Sequence, residues 1–153
     1  MREGNDYVQT GMTLIEVLIA LLILAIGLLG AAALQLNALK YTDSAMLHSH
    51  ASFVAHDMME RIRANPDVDY TLASLASAPP VGNLAMPRDQ DLFDFATSIN
   101  AFAGNDADAS IAVIGRAVEI TITWNDSRAA NVLNELQTFR LSSRVAVDVG
   151  ARP

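Results

Sequence analysis

The residues that decide the fold are "TGMTLIEVLIALLILAIGLLGAAAL", Thr10 to Leu34. The stretch carries one charge, Glu16, and from Val17 to Leu34 eighteen uncharged residues follow, rich in Leu, Ile and Ala. At ~1.5 Å per residue, roughly 20 such residues cross a hydrocarbon core. The run is just long enough to span a membrane, and a carboxylate at its edge is costly unless something pairs with it. Two plain readings compete. A cleaved secretory signal has a basic leading region, a shorter apolar core and small residues at its end. Ala31-Ala32-Ala33 supplies the last of these, but Arg2 is the only basic residue ahead of the run, and Glu3 and Asp6 offset it. An ordinary signal anchor accounts for the length and leaves Glu16 unexplained. Neither accounts for Gly11, five residues ahead of the glutamate.

Outward from this segment, the 153 residues suffice for one domain with an appendage. The apolar share is 52%, and much of it lies between Met12 and Leu36, so the remainder reads as a small soluble domain with a limited core. A formal net charge of -7 leaves no basic stripe to follow phosphates and argues against nucleic-acid binding. The chain has no cysteine, which excludes a disulfide framework, a thiol nucleophile, a lipidated cysteine and any cysteine-based zinc site.

The apolar helix is expected to continue past the span, because no proline interrupts Met12 to Asn65. Leu47, Ala51, Val54, Met58 and Ile62 recur at three- and four-residue steps, one apolar stripe. Asp57 and Arg61, and Glu60 and Arg63, are spaced to pair on the wet face. Asn65-Pro66 ends the helix. About 50 residues at ~1.5 Å give a rod near 80 Å, apolar all round in its first half and amphipathic in its second. Gly27 and Gly30 either allow close helix contact or mark a segment that loosens, each lowering helix propensity by roughly 1 kcal/mol relative to Ala.

Residues 66–88, which hold all but one of the prolines, read as a loop. Arg88 to Gly104 reads as a short helix with Leu92, Phe93, Phe95, Ile99 and Phe102 on a broad apolar face. "GNDADAS" reads as a turn, and Ile111–Ile114, Val118–Trp124 and Phe139–Val149 as strands, with "NDSRAANVLNE" joining the last two. "VEITITW" alternates cleanly, Val118, Ile120, Ile122 and Trp124 falling on one face. Helices followed by antiparallel strands make an α+β domain. The expected organisation is 1–11 as a leader, 12–36 as a membrane or core helix, 37–65 as its amphipathic continuation and 66–153 as a globular head.

Little in the head points to catalysis, cofactor or metal. His48 and His50 lie on different faces of a helix, and His56 with Glu60 offers two ligands at best, so a surface helix accounts for all three histidines. Asn105-Asp106-x-Asp108-x-Ser110 lacks the central glycine and distal glutamate of a calcium loop, and a solvated acidic loop accounts for it. No serine stands in a Gly-x-Ser-x-Gly setting, and no glycine loop suits a phosphate. Trp124, closing an alternating strand, reads as core.

"GMTLIEVLIALLIL" resembles the N-terminal signature of type IV pilins: a short polar leader ending in Gly, then Thr-Leu-Ile-Glu, then a long apolar helix. The resemblance implies cleavage between Gly11 and Met12 by a membrane prepilin peptidase, methylation of the new Met12 amine, and an assembly role for Thr13 and Glu16. Met12 stands where phenylalanine is usual. After such a cut, Glu16 can pair with the Met12 amine of its own helix, about one turn away, or in a filament neutralise the terminal amine of a staggered neighbour. A slipped register would then leave both desolvated charges unpaired. Glycine would mark the cut that makes the amine, and glutamate would read it; the bland alternative is a Glu16 that snorkels to the headgroups. Gly27-Leu28-Leu29-Gly30 with Ala33-Leu34-Gln35, and Ala55, Asp57, Met58, Arg61, Arg63, Ala64, Asn65 and Pro66, resemble the PilV-type minor pilins, or type IV pilus modification proteins. That implies a pilin-like α+β fold and a non-enzymatic minor subunit with other minor pilins and the major pilin as partners. It also implies a single pass through the bacterial inner membrane with a periplasmic C-terminus, before incorporation into the extracellular pilus. A minor pseudopilin of a type II secretion system shares the N-terminal logic, and a membrane-anchored periplasmic adhesin or enzyme is the alternative of another class.

Overall fold

The structure is a computed structural model that describes residues 11–127 and 135–145. Helix α1 runs over Leu14–Ala64, a short 3-10 turn over Leu75–Ser77, helix α2 over Pro87–Ala103, and strands β1, β2 and β3 over Asp108–Ile114, Ala117–Asn125 and Leu136–Arg144. A long N-terminal helix followed by a small three-stranded antiparallel sheet is the expected α+β, pilin-like architecture. The leader expected over residues 1–11 lies, but for Gly11, outside the described residues, as does most of the expected β2–β3 connection.

The chain divides into two units, Met1–Leu39 and Lys40–Pro153. In the first, every described residue is exposed, including Leu14, Ile15, Leu22, Ile23, Leu28 and Leu29. A run of exposed aliphatic residues on this scale is not a surface that water tolerates, and it fits lipid or the helices of other subunits.

In the second unit, α1 buries Ala51, Ala55, Met58, Met59 and Ile62, with Leu47 and Val54 half-buried beside them. The same core takes Leu92, Phe95 and Ile99 from α2, and Val118, Ile120, Ile122 and Trp124 from β2. Each large apolar side chain buried in this way stabilises the fold by about 1.5–3 kcal/mol before entropy is counted. Phe93 and Phe102, expected on the same face of α2, are half-buried. Pro87 opens α2, where its missing N–H costs nothing, and Gly104 at φ 82° closes it, its N–H reaching the Asn100 carbonyl.

The sheet order is β1-β2-β3. β1 and β2 form a hairpin whose two turn residues are Gly115, at φ 61°, and Arg116. Three expectations change. β1 begins at Asp108 rather than Ile111, because Asp108 and Ser110 pair with Thr123 and Thr121 of the longer β2 while Ala109 is buried. The turn expected through Ser110 is therefore shorter. β3 begins at Leu136, before Phe139, and ends at Arg144; the expected continuation over 146–149 lies outside the described residues. Within the expected 66–88 loop, Leu72 pairs with Ile111 through two backbone bonds of 2.9 and 2.8 Å, which adds a bridge to the outer edge of β1.

Candidate functional site

The residues singled out by sequence sit together at the start of α1. Thr13 precedes the first helical residue, Leu14, and its carbonyl accepts the N–H groups of Glu16 at 3.1 Å and Val17 at 3.3 Å. The Thr13 hydroxyl oxygen lies 3.4 Å from the same Glu16 nitrogen, a long bond in the N-cap position. Thr-x-x-Glu is the spacing of a capping box, a local duty that sequence reading had not assigned to Thr13 although its signal is plain. Glu16 is the acidic residue of the first turn, where the positive end of the helix dipole favours a carboxylate. Met12 is 74% exposed, and a Cβ on Gly11 would meet nothing within 4 Å. Gly27 and Gly30 likewise face open space. Each of these residues is thus free of internal packing and presented outward.

The second unit holds a charge cluster of a different kind. Arg61 Nε donates to Asp57 Oδ2 at 2.9 Å, the pair expected one turn away. Its Nη1 also reaches Asp91 Oδ1 at 2.8 Å and Asp94 Oδ2 at 3.1 Å, both on α2. Arg61 is therefore not confined to the wet face of α1: it clamps α1 to α2. The hydrogen bond to Asp91 is the largest of the effects that hold the Arg61 guanidinium even further above its ordinary pKa, against the opposing cost of burial. Tyr70, fully buried, donates its hydroxyl to Asp91 Oδ2 at 2.8 Å and accepts from Asn65 Nδ2 at 3.3 Å. Burial first, and the Asp91 bond and charge next, push the Tyr70 phenol up to about 12. Asp69 is lowered, chiefly by the hydroxyl of Thr71 at 2.6 Å and also by the Thr71 N–H at 2.9 Å. Arg63 pairs with Glu60, as expected, and reaches Ser143 Oγ on β3 at 2.7 Å.

The histidines do not converge. His48 stands edge-on to Trp124 with ring centroids 4.8 Å apart, His50 stacks on Phe102 at 5.7 Å, and His56 Nδ1 lies 2.7 Å from the Ser52 carbonyl. They sit on an exposed helix surface as expected, but two of them pack against buried or half-buried rings of the head. Among the described residues no three His, Asp or Glu side chains are grouped to hold a metal ion. Asp108, from the stretch read as an acidic loop, opens β1 as an exposed local acceptor, its Oδ1 taking the N–H groups of Leu75 and Ala109 at 2.9 Å each. Trp124 is buried in the core. Ser44 of α1 donates to Asp126, a buried carboxylate just past β2, a contact the sequence offered no means to foresee.

A family model for the prokaryotic N-terminal methylation motif matches residues 7–32, which takes in Gly11, Met12, Thr13, Glu16 and the exposed apolar run. A second, for the type IV pilin Tt1218, matches residues 33–84, from the remainder of α1 through Arg61 and Tyr70 into the loop that follows. No curated protein and no solved structure matches the chain. The type IV pilin match and the adjoining methylation-motif match, on a chain whose long exposed apolar helix leads into a small antiparallel sheet, support a type IV pilin-like protein.

Proposed function

We propose that the chain is a minor subunit of a type IV pilus. In this reading it is held in the bacterial inner membrane by a single pass, with the unit from Lys40 onward in the periplasm. Prepilin peptidase cuts it between Gly11 and Met12, Met12 is methylated, and the mature chain joins a priming or tip complex with other minor pilins and the major pilin. The observation that carries this is the arrangement at the start of α1. An unpacked glycine, an exposed methionine and a capped first turn bearing the one carboxylate of the span lie inside the match to the methylation motif. The role is structural, since a pilin subunit works by packing, and the polar clusters of the head serve to bind its own elements together.

The match to a type IV pilin over residues 33–84 favours the pilus over a secretion pseudopilus, whose subunits share the N-terminal logic. Intact-mass analysis of the protein recovered from sheared pili tests the proposal. The expected species starts at methylated Met12 and is present at a small fraction of the major subunit. A mature chain that starts near Ala33, or one absent from pili and found only in membranes, overturns it.

A further inference from the structure

The arginines of the second unit divide into two groups. Arg61, Arg63 and Arg88 are engaged with carboxylates on or beside their own helices, and Arg140 lies 3.5 Å from Glu119 across the sheet. Arg116 and Arg144 have no ion pair among the described residues. The strand register brings these two together. Ile114 pairs with Ala117, and Ala117 with Arg144, so the three form one row at the hairpin end of the sheet, on the face turned away from the core. The two-residue turn puts Arg116 at the same end. The next row on that face is Ala112, Glu119 and Ser142, two small side chains around one acid that is already paired with Arg140. Ile114 is 78% exposed. Two shallow depressions, of about 420 and 330 Å³, meet here and share Ile114, Ala117 and Arg144 in their linings.

An exposed isoleucine by itself is ordinary. An isoleucine flanked by two guanidiniums that have no ion pair among the described residues, beside Ala112 and Ser142, has the make-up of an interface centre, where arginine is enriched and can take a carboxylate with two parallel bonds. We propose that this patch docks an acidic segment of a neighbouring pilin-like subunit, with an apolar residue of that segment over Ile114. Charge complementarity carries the assignment. The chain has a net charge of -7, with exposed Asp57, Asp67 and Asp69 elsewhere on the unit. Subunits of such composition repel one another wherever acid meets acid. Subunits in a filament meet through two different surfaces, so a basic patch on one can receive an acidic surface of the next. The inference rests on the pilus reading above.

The test places a photo-crosslinking benzoylphenylalanine at position 114 of the full chain in piliated cells, illuminates them, and maps the adducts in sheared pili by mass spectrometry. The expected adduct joins position 114 to an Asp- or Glu-bearing segment of another pilus subunit. In a chain carrying Arg116→Glu and Arg144→Glu its yield falls at least about tenfold, because like charges then face each other. With Arg116→Lys and Arg144→Lys the adduct persists. All four substitutions fall on exposed side chains, and the amount of mature chain in membranes reports whether the variants fold. Adducts to residues 146–153 of the same chain, to lipid or to a segment without acids overturn the inference. So does a charge-reversed chain that crosslinks as well as the parent, loss of the adduct in the lysine chain, or no adduct in pili that contain the protein. Absence of the parent chain from sheared pili overturns the pilus reading as well, which separates the two failures.

Discussion

The Thr13 hydroxyl oxygen stands 3.4 Å from the backbone nitrogen of Glu16, so the residue that precedes α1 steadies the turn that carries the carboxylate. The Thr-x-x-Glu spacing has a folding role that exists before any assembly. Loss of a threonine N-cap costs about 1 kcal/mol of helix stability, concentrated in the first turn. Thr13→Ala is expected to fray the turn and lower incorporation into pili a few-fold, whereas Thr13→Ser, which keeps the acceptor, is expected to behave as the parent. Blots of membrane and sheared-pilus fractions measure both. Equal incorporation of the alanine variant would leave the cap without consequence for assembly.

Glu16→Gln separates charge from cap, because glutamine also suits the third helical position of a capping box. If Glu16 pairs with a neighbour's amine, its neutralisation leaves that amine alone in a low-dielectric setting, at a cost of several kcal/mol. An association constant changes tenfold for about 1.4 kcal/mol. The variant should therefore be cleaved normally, stay in the membrane and be depleted from pili by at least about tenfold. Normal incorporation would leave Glu16 as a residue that reaches the headgroups and no more.

Gly11 offers a clean test of processing. A side chain there would meet nothing within 4 Å, so the fold does not require glycine at this position. Nothing among the described residues calls for it, and a protease that grips the backbone supplies a need. Gly11→Val is expected to leave the full-length protein in the membrane, unassembled, with no loss of stability in the unit from Lys40 onward. Normal release of a Met12 terminus from this variant, read by intact mass, would show that the cut does not depend on Gly11.

The unit Lys40–Pro153 contains the core, whereas the described residues of the first unit are exposed throughout. A chain that begins at Lys40 is therefore expected to be soluble and cooperatively folded. In it, Arg61→Met leaves Asp57, Asp91 and Asp94 close together without their shared cation. Arg61 is about one-third exposed, so solvent screens part of the effect, and a loss of about 1–2 kcal/mol is expected in denaturant titration. A loss below a few tenths of a kcal/mol would reduce the clamp to a surface pair.

The parts of this structure that sequence made legible are those whose physics is local. The helix from Leu14 to Ala64 follows from an unbroken apolar run and then a stripe at three- and four-residue steps, and β2 follows from the alternation of Val118, Ile120, Ile122 and Trp124. The start of β1 was not legible, because Asp108 and Ala109 are poor strand formers whose conformation is set by Thr123 and Ile122 on the partner strand. Asp57 one turn from Arg61 could be foreseen, but Asp91 and Asp94, 30 and 33 residues away, depend on how α2 lies against α1. The candidate site at Gly11, Met12, Thr13 and Glu16 is linear and so was readable. The row of Ile114, Ala117 and Arg144 exists only once the strand register is known.

Tyr70 sets an alkaline limit on the second unit. Its ring is fully buried, and its hydroxyl donates to Asp91 at 2.8 Å, so the neutral phenol is favoured in the folded state and its pKa is pushed up to about 12. In the unfolded chain the value returns to about 10. The folded form thus binds the proton more tightly. Its stabilising effect is complete below about pH 10, and it is lost as the pH rises from there towards the folded value of about 12. Tyr70→Phe keeps the buried ring, gives up the hydroxyl's hydrogen bonds to Asp91 and from Asn65, each worth about 1 kcal/mol near neutrality, and removes this titration. Denaturant titrations of the chain that begins at Lys40, from neutral pH to about pH 11.5, should show the parent losing stability more steeply than the variant above about pH 10, so that the gap between them narrows. Parallel curves for parent and variant across that range would mean that the Tyr70–Asp91 contact does not hold the phenol neutral.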